Sequence, residues 1–259
     1  MKESYYGKLR AQEYDIGTDP SEIVSFYLSQ WEQLGKHGPI LEPMCGTGLN
    51  LIPFLQTGVV CDGLDTSSHM LAICQKKLDE LGLACNLFQQ NLEAMELSNR
   101  YGFILIPGGS YGHIYDKTIA AQCLKRIRAH LLPGGWFFFD VRPPEYMSVF
   151  GQDGLVDYGL NEYPDGSTVL TTGYWQHLDE GRVIRKWNKM ERFVNDQLVE
   201  TEIFDYRERL YDLSEMKVEL QEAGFDEIRV MKAYDPNTQP VGKDGIVFAC
   251  RSGEGPIFH

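Results

Sequence analysis

The sequence predicts an α/β domain, in which short apolar strands alternate with helices, and four stretches predict it. Residues 40–48 read Ile-Leu-Glu-Pro-Met-Cys-Gly-Thr-Gly: an apolar run, an acid and a glycine turn ahead of a helix-like segment. Residues 59–64 form a second apolar run, which ends in Asp65, seventeen positions beyond Gly48. Residues 102–106 and 136–141 are two further buried-looking runs, the last introduced by Pro133-Gly134-Gly135. Strands that alternate with helical patterns build a parallel sheet from βαβ units.

Each element has a local cause. Asp19-Pro20-Ser21-Glu22 starts the first long helix, with a cap, a proline in the first turn and an acid three after the cap. It is expected to reach about residue 34 and to bury Ile23, Phe26, Tyr27 and Trp31. The helix after the glycine turn, 49–56, contains Pro53, which a helix tolerates only in its first turn. Ser67 or Ser68 caps the next helix, whose Met70, Leu71, Ile73, Cys74 and Leu78 recur at helical spacing. Residues 86–90 read as the third strand and 102–106 as the fourth, which ends in the loop Pro107-Gly108-Gly109-Ser110-Tyr111-Gly112-His113. A helix over 116–131 leads to the fifth strand, with Asp140, Arg142 and the Pro143-Pro144 break at its end.

From residue 145 the pattern changes. Residues 168–176, 183–193 and 199–210 alternate in part, with Asp179-Glu180-Gly181 and Asn195-Asp196 as hairpin turns. They predict an antiparallel β insert after the fifth strand, with Tyr174, Trp175, Trp187, Phe193, Phe204, Tyr206, Arg207 and Arg209 as candidates for one face. Asp212-Leu213-Ser214-Glu215 starts the last helix, which ends at Gly224-Phe225; 226–233 and 245–250 are closing strands and 252–259 a tail. The expected division is 1–144 with 211–251 as one ligand-binding domain, and 145–210 as the insert, a substrate cover or a dimer contact.

The chemistry concentrates at the glycine turn. Gly46 and Gly48 lack a Cβ, so the backbone there can take φ > 0 and lie against a ligand. Cys-Gly-Thr-Gly alone would also serve an ordinary strand-to-helix turn. Asp65 adds an acid at the end of the second strand, placed to accept hydrogen bonds from a ribose diol. A dinucleotide pyrophosphate wants Gly-x-Gly-x-x-Gly with helix amides facing the phosphates. Here Met44 fills the first glycine position, no third glycine follows, and Glu42 would repel a phosphate but suits a ligand with an ammonium group. S-adenosylmethionine (SAM) is such a ligand.

Leu-Glu-Pro-Met-Cys-Gly-Thr-Gly, then Gly-Leu-Asp-Thr-Ser-Ser-His-Met-Leu, then Leu-Leu-Pro-Gly-Gly-Trp resemble a class I SAM-dependent methyltransferase of the small-molecule branch, which includes the sugar N,N-dimethyltransferases. The resemblance covers roughly 10–141 and 205–250. It implies a Rossmann-like, seven-stranded, mostly parallel sheet with helices on both faces and the last strand antiparallel. It also implies SAM as cofactor, held by the turn residues Glu42, Met44, Cys45, Gly46 and Gly48, by Asp65, and by Thr66 and Met70 beside the adenine. The family usually has an aspartate where Asn91 stands; its carbonyl can take the adenine amino group's hydrogen bond, with Leu92 beside it and Glu93 as a stand-in. Tyr14-Asp15 matches an N-terminal flap over the cofactor, with Tyr5 and Tyr6 nearby.

The same resemblance points Pro107 and Gly108 toward the methionine part of the cofactor. Tyr111, His113, Arg142 and Tyr174 are the candidate acceptor contacts, with His113 and Tyr111 as candidate bases. Bland readings stand beside these: Met70 as core packing, Arg142 as half of an ion pair, the insert as a structural or dimer-forming sheet. Two rivals remain open, an NAD-dependent dehydrogenase and a SAM-binding protein without transferase activity.

The whole chain limits the partners. A net charge of −13 over 259 residues argues against a nucleic-acid substrate. The expected partner is a small polar molecule, with a homodimer as a further expectation. Six cysteines without Cys-x-x-Cys or zinc spacing read as reduced core residues of a cytoplasmic protein, and no metal site is expected. No apolar stretch is long enough to span a membrane.

Overall fold

The computed structural model describes residues 6–149, 153–154 and 156–253. Tyr5 and tail residues 254–259 lie outside them. In chain order the first elements are α1 (Lys8–Glu13), α2 (Ser21–Gln33), β1 (Ile40–Pro43), α3 (Leu51–Gln56), β2 (Cys61–Asp65) and α4 (Ser68–Leu81). Then come β3 (Leu87–Gln89), β4 (Tyr101–Ile106), α5 (Lys117–His130) and β5 (Leu131–Val141). The insert supplies β6 (Val156–Glu162), β7 (Ser167–Leu178), β8 (Val183–Val194) and β9 (Gln197–Arg209); α6 (Leu213–Glu222), β10 (Phe225–Lys232) and β11 (Ile246–Ser252) close the chain.

The main sheet runs β10-β11-β5-β4-β1-β2-β3. Strands β1 to β5 are parallel, while β11 pairs antiparallel with both β5 and β10. Its central strands are buried on both faces, as their unbroken apolar runs require. On one face Val24, Phe26, Leu51, Phe54, Leu71 and Leu78 bring α2, α3 and α4 onto the sheet; on the other, Cys123, Leu124, Met216 and Leu220 bring α5 and α6. Two helix starts follow the sequence, Ser67 Oγ accepting from Met70 N at 3.3 Å and Asp212 Oδ1 from Ser214 N at 2.8 Å. Asp116 Oδ1 caps α5 likewise, accepting from Thr118 N at 2.8 Å. The helix α2 begins one residue later than an Asp19 cap implies, with Pro20 at its N-cap position. Pro53 is the third residue of α3, within the first turn, where its missing N–H costs nothing.

The chain leaves β1 toward β2 on one side, and β4 lies on the other side. This is a switch point, where open α/β sheets hold ligands at the carboxyl ends of their strands. The turn after β1, Asp65, residues 90–93 and the loop after β4 all converge there.

The insert is one strand larger than expected. β6 interrupts its short run with Gly159, which hides it from a pattern search. The four strands form an antiparallel sheet in the order β6-β7-β8-β9. Its hairpin turns take left-handed backbone at Asp179, Glu180, Asn195 and Asp196. The aromatic residues expected on one face divide between two. Trp175, Phe204 and Tyr206 share a face, while Tyr174 and Trp187 pair across β7 and β8 on the other and are 45% and 43% exposed. Successive strand side chains alternate, so Tyr174 and Trp175 cannot serve the same surface. The first face packs Val169, Met190 and Phe204 around Leu9 of α1.

Candidate active site

Asp65 holds the glycine turn in shape. Its Oδ2 accepts the Gly46 amide at 2.9 Å and its Oδ1 the Ser67 amide at 2.8 Å. Each oxygen keeps a lone pair for a further donor. Burial pushes its carboxyl above the ordinary aspartate range, against the lowering effect of those amides. The turn itself takes positive φ at Met44 (61°), Gly46 (56°) and Gly48 (78°). A Cβ on Gly48 would stand 2.6 Å from Cys74 Sγ, so glycine is required there twice over.

Glu42 lies beneath the turn, 1% exposed. Asn50 Nδ2 donates to its Oε1 at 3.3 Å, and Oε2 has no hydrogen-bond partner. Burial pushes its pKa up to about 8. A buried carboxyl with an orphan oxygen is destabilising until a donor reaches it. An ammonium group is the donor that also returns it to the ionised form. The carboxyl pair and the bare backbone between them fit the amine and ribose of SAM, with Asp65 on the wall of the cavity above and Glu42 beneath the turn, off that wall.

A cavity of about 360 Å3 opens over this turn. Met44, Gly46, Asp65, Thr66, Met70, Asn91 and Leu92 line it, as does Tyr14 from the end of α1. The same wall includes Tyr6, Leu64, Gln90 and Glu93. At the other end stand Ser110, His113, Ile114, Tyr115, Asp116, Ile119 and Cys123. Asp116, Ile119 and Cys123 recur at helical spacing, so one face of α5 borders the cavity. That spacing was the available signal, though it reads equally well as core. Asp15 ties the N-terminal segment down, accepting from Thr47 Oγ1 at 2.5 Å and pairing with Lys77 at 2.7 Å.

His113 is the polar residue whose chemistry is best defined. Its Nδ1 lies 3.1 Å from the Arg207 carbonyl oxygen, and the Tyr206 ring stands edge-on to it at 5.3 Å. A carbonyl only accepts, so Nδ1 carries the hydrogen and Nε2 keeps its lone pair. Burial lowers the imidazole pKa below 6.5, with the nearby Glu208 carboxylate opposing.

Several expected contacts lie elsewhere. Tyr111 is fully buried, its ring 4.6 Å from Phe139 and 5.6 Å from Tyr211, and burial raises its hydroxyl pKa. It is a core residue and not a base. Cys45 points into the core, where a Cβ on Gly63 would meet its Sγ at 2.8 Å; Gly48 backs onto Cys74. Pro107 and Gly108 stay off the cavity wall because the loop turns its amides inward. Gly108 N and Gly109 N donate to Asp140 at 3.0 and 2.6 Å, and Tyr27 Oη donates to the same carboxylate at 2.9 Å. Arg142 is engaged by Glu208 and lies over the Tyr146 ring, so the ion-pair reading holds for it. Tyr174 stands on the exposed face of the insert.

Residues 40–135, from β1 into the start of β5, match the sequence model described as a methyltransferase domain. The chain is a SAM-dependent methyltransferase. A protein of Geobacillus sp. (strain WCH70), provisionally named a methyltransferase, is 25% identical over 239 residues, which are 88% of this chain and 90% of that one. A dTDP-3-amino-3,6-dideoxy-alpha-D-glucopyranose N,N-dimethyltransferase of Streptomyces fradiae is 26% identical over 149 residues, 54% of this methyltransferase and 53% of its relative. The crystal structure of a SAM-dependent methyltransferase from Clostridium acetobutylicum shares the fold, with a TM-score of 0.79 at 16% identity, covering 95% and 96% of the two chains. SAM is thus the cofactor, which sets aside the dinucleotide and the transferase-free readings. Among the described residues no cluster of metal-ligating side chains occurs, and no helix is long and apolar enough to cross a membrane.

Proposed function

We propose that this methyltransferase acts on an amine of a small polar acceptor, with His113 as the base. The observation that carries the reading is the hydrogen bond from His113 Nδ1 to the Arg207 carbonyl, which makes Nε2 the basic nitrogen of a residue that lines the cavity. The Streptomyces fradiae relative, named for methylation of an amino sugar, supports an amine. Asp65 and Glu42 would hold the ribose and amino ends of SAM, Thr66, Met70, Asn91 and Leu92 the adenine, and Tyr14 the open side. Bound SAM supplies a methyl group already activated as a sulfonium.

The chain's own work is positional. Holding donor and acceptor about 3–3.5 Å apart in line supplies much of the acceleration. An amine must shed a proton, and a neutral, buried imidazole takes it at Nε2, a contribution of about 10²–10⁴-fold. The insert would roof the acceptor end, since β9 carries the carbonyl and the tyrosine that fix His113.

Transfer of labelled methyl from SAM to amine acceptors by wild type and His113→Asn tests this. The expected result is a fall in kcat with SAM affinity kept. Equal turnover at saturating acceptor across the pH range would remove His113 as the base.

A further inference from the structure

Beside the cofactor cavity lies a second, more open groove. Tyr115 and Asp116 belong to both walls, and Lys117, Asp179, Arg207 and Arg209 complete its polar lining. Most of its charges are matched. Arg209 pairs with Asp179 at 3.0 Å and Lys117 with Glu215, while the Asp116 carboxylate accepts the Thr118 and Ile119 amides. Arg207 differs. Among the described residues its guanidinium makes no ion pair, and it stands 5.1 Å above the centre of the Tyr115 ring.

The strand register sharpens this. Arg185 lies directly across from Arg207 on β8. Like charges directly opposite each other on neighbouring strands are destabilising. Asp205, two positions before Arg207 and therefore on the same face, is taken by Arg185, with Nε and Nη2 bonds of 3.0 and 2.7 Å. The groove thus keeps one cation without an ion pair among the described residues, beside an Asp116 carboxylate that is held by amides. A guanidinium held over an aromatic ring still presents an N–H edge that matches an oxyanion. The main chain of the same residue fixes His113.

We infer that the methyl acceptor carries an anionic group, a carboxylate or a phosphate, and that Arg207 binds it in this groove, past Tyr115 from the reacting amine. The inference rests on the amine-acceptor reading and names its substrate class.

The test uses the full chain saturated with S-adenosylhomocysteine and titrated calorimetrically at low ionic strength with inorganic phosphate and, separately, with malonate. At least one anion binds wild type and binds Arg207→Met about tenfold more weakly. The anion that responds shows whether the acceptor's group is a phosphate or a carboxylate. Arg185→Met releases Asp205 to neutralise Arg207, so it weakens the same anion as well. Should Arg207→Met fail to fold, Arg185→Met decides alone. Affinity for S-adenosylhomocysteine stays at the wild-type value in both variants. Equal anion affinity in wild type and variants, or no binding of either anion to wild type, overturns the inference. Methyl transfer to neutral amines through His113 would survive that outcome, so the two failures are distinguishable.

Discussion

His113 and Asp140 show how burial sets chemistry at single residues. The His113 pKa lies below 6.5, so the imidazole is neutral at pH 7, as the proposed base must be, and takes up its second proton only when pH falls through that lowered value. The acid limb of the kcat profile is therefore expected below pH 6.5, and His113→Asn should remove the limb together with about 10²–10⁴ of the rate. Stopped-flow or steady-state rates from pH 5 to 8 read both. Asp140 behaves oppositely, its pKa raised from 3.8 to about 6 by burial, despite the Tyr27 hydroxyl and the Gly109 and Gly108 amides. Between those two values the folded chain holds more protons than the unfolded one, so this residue makes stability fall as pH rises through the window. Asp140→Asn should flatten that part of the stability profile in urea titrations. It should also lower stability overall, since an amide offers the two glycine N–H groups only one acceptor. An unchanged slope would contradict the role given to Asp140.

At the scale of elements, α1 is a strap between the two sheets. The Glu202 carboxylate on β9 accepts the Leu9 amide at 2.7 Å and the Arg10 amide at 3.2 Å. Beyond it Tyr6 and Tyr14 face the cavity, with the Arg10 guanidinium 5.8 and 5.1 Å from their rings. Glu202→Ala removes the acceptor of two helix-starting amides. Hydrogen exchange should rise across residues 7–14, and SAM should bind about tenfold more weakly, which is ~1.4 kcal/mol. Wild-type exchange in that segment would contradict the strap. Elements with local causes were legible beforehand: Ser67 and Asp212 cap because a side-chain oxygen satisfies free amides, and Gly46 and Gly48 turn because they lack a Cβ. Parity was not legible. Tyr174 and Trp175 are neighbours, and the sequence does not say which one faces inward. Tyr111 and His113 both sit in the short 3-10 turn at Ser110–His113, yet one enters the core and the other the cavity. Only tertiary packing decides that.

Across the whole molecule, the sheet order makes the site. Reversal of direction at β1 brings together the turn after β1, Asp65, residues 90–93 and the loop after β4, although they are spread over much of the first half of the chain. The turn and Asp65 were legible as one site because the glycines and Asp65 stand at the spacing the fold demands, and Asn91, Leu92 and Glu93 joined them only through the family resemblance. The α5 face was not, and Arg207 was legible only as one residue of the insert's face, because they reach the cavity and its neighbouring groove through packing of helix and insert. Tyr6, read with Tyr14 as part of the flap, does line the cavity. The central claim is that Asp65 both shapes the turn and receives the cofactor. Calorimetric titration of SAM into wild type and Asp65→Ala tests it most directly. Wild type should bind tightly and the variant at least about a hundredfold more weakly, from the missing ribose acceptors and the unsatisfied Gly46 and Ser67 amides at about 1–3 kcal/mol each. Equal affinity in the two proteins, or no heat from wild type, would contradict it.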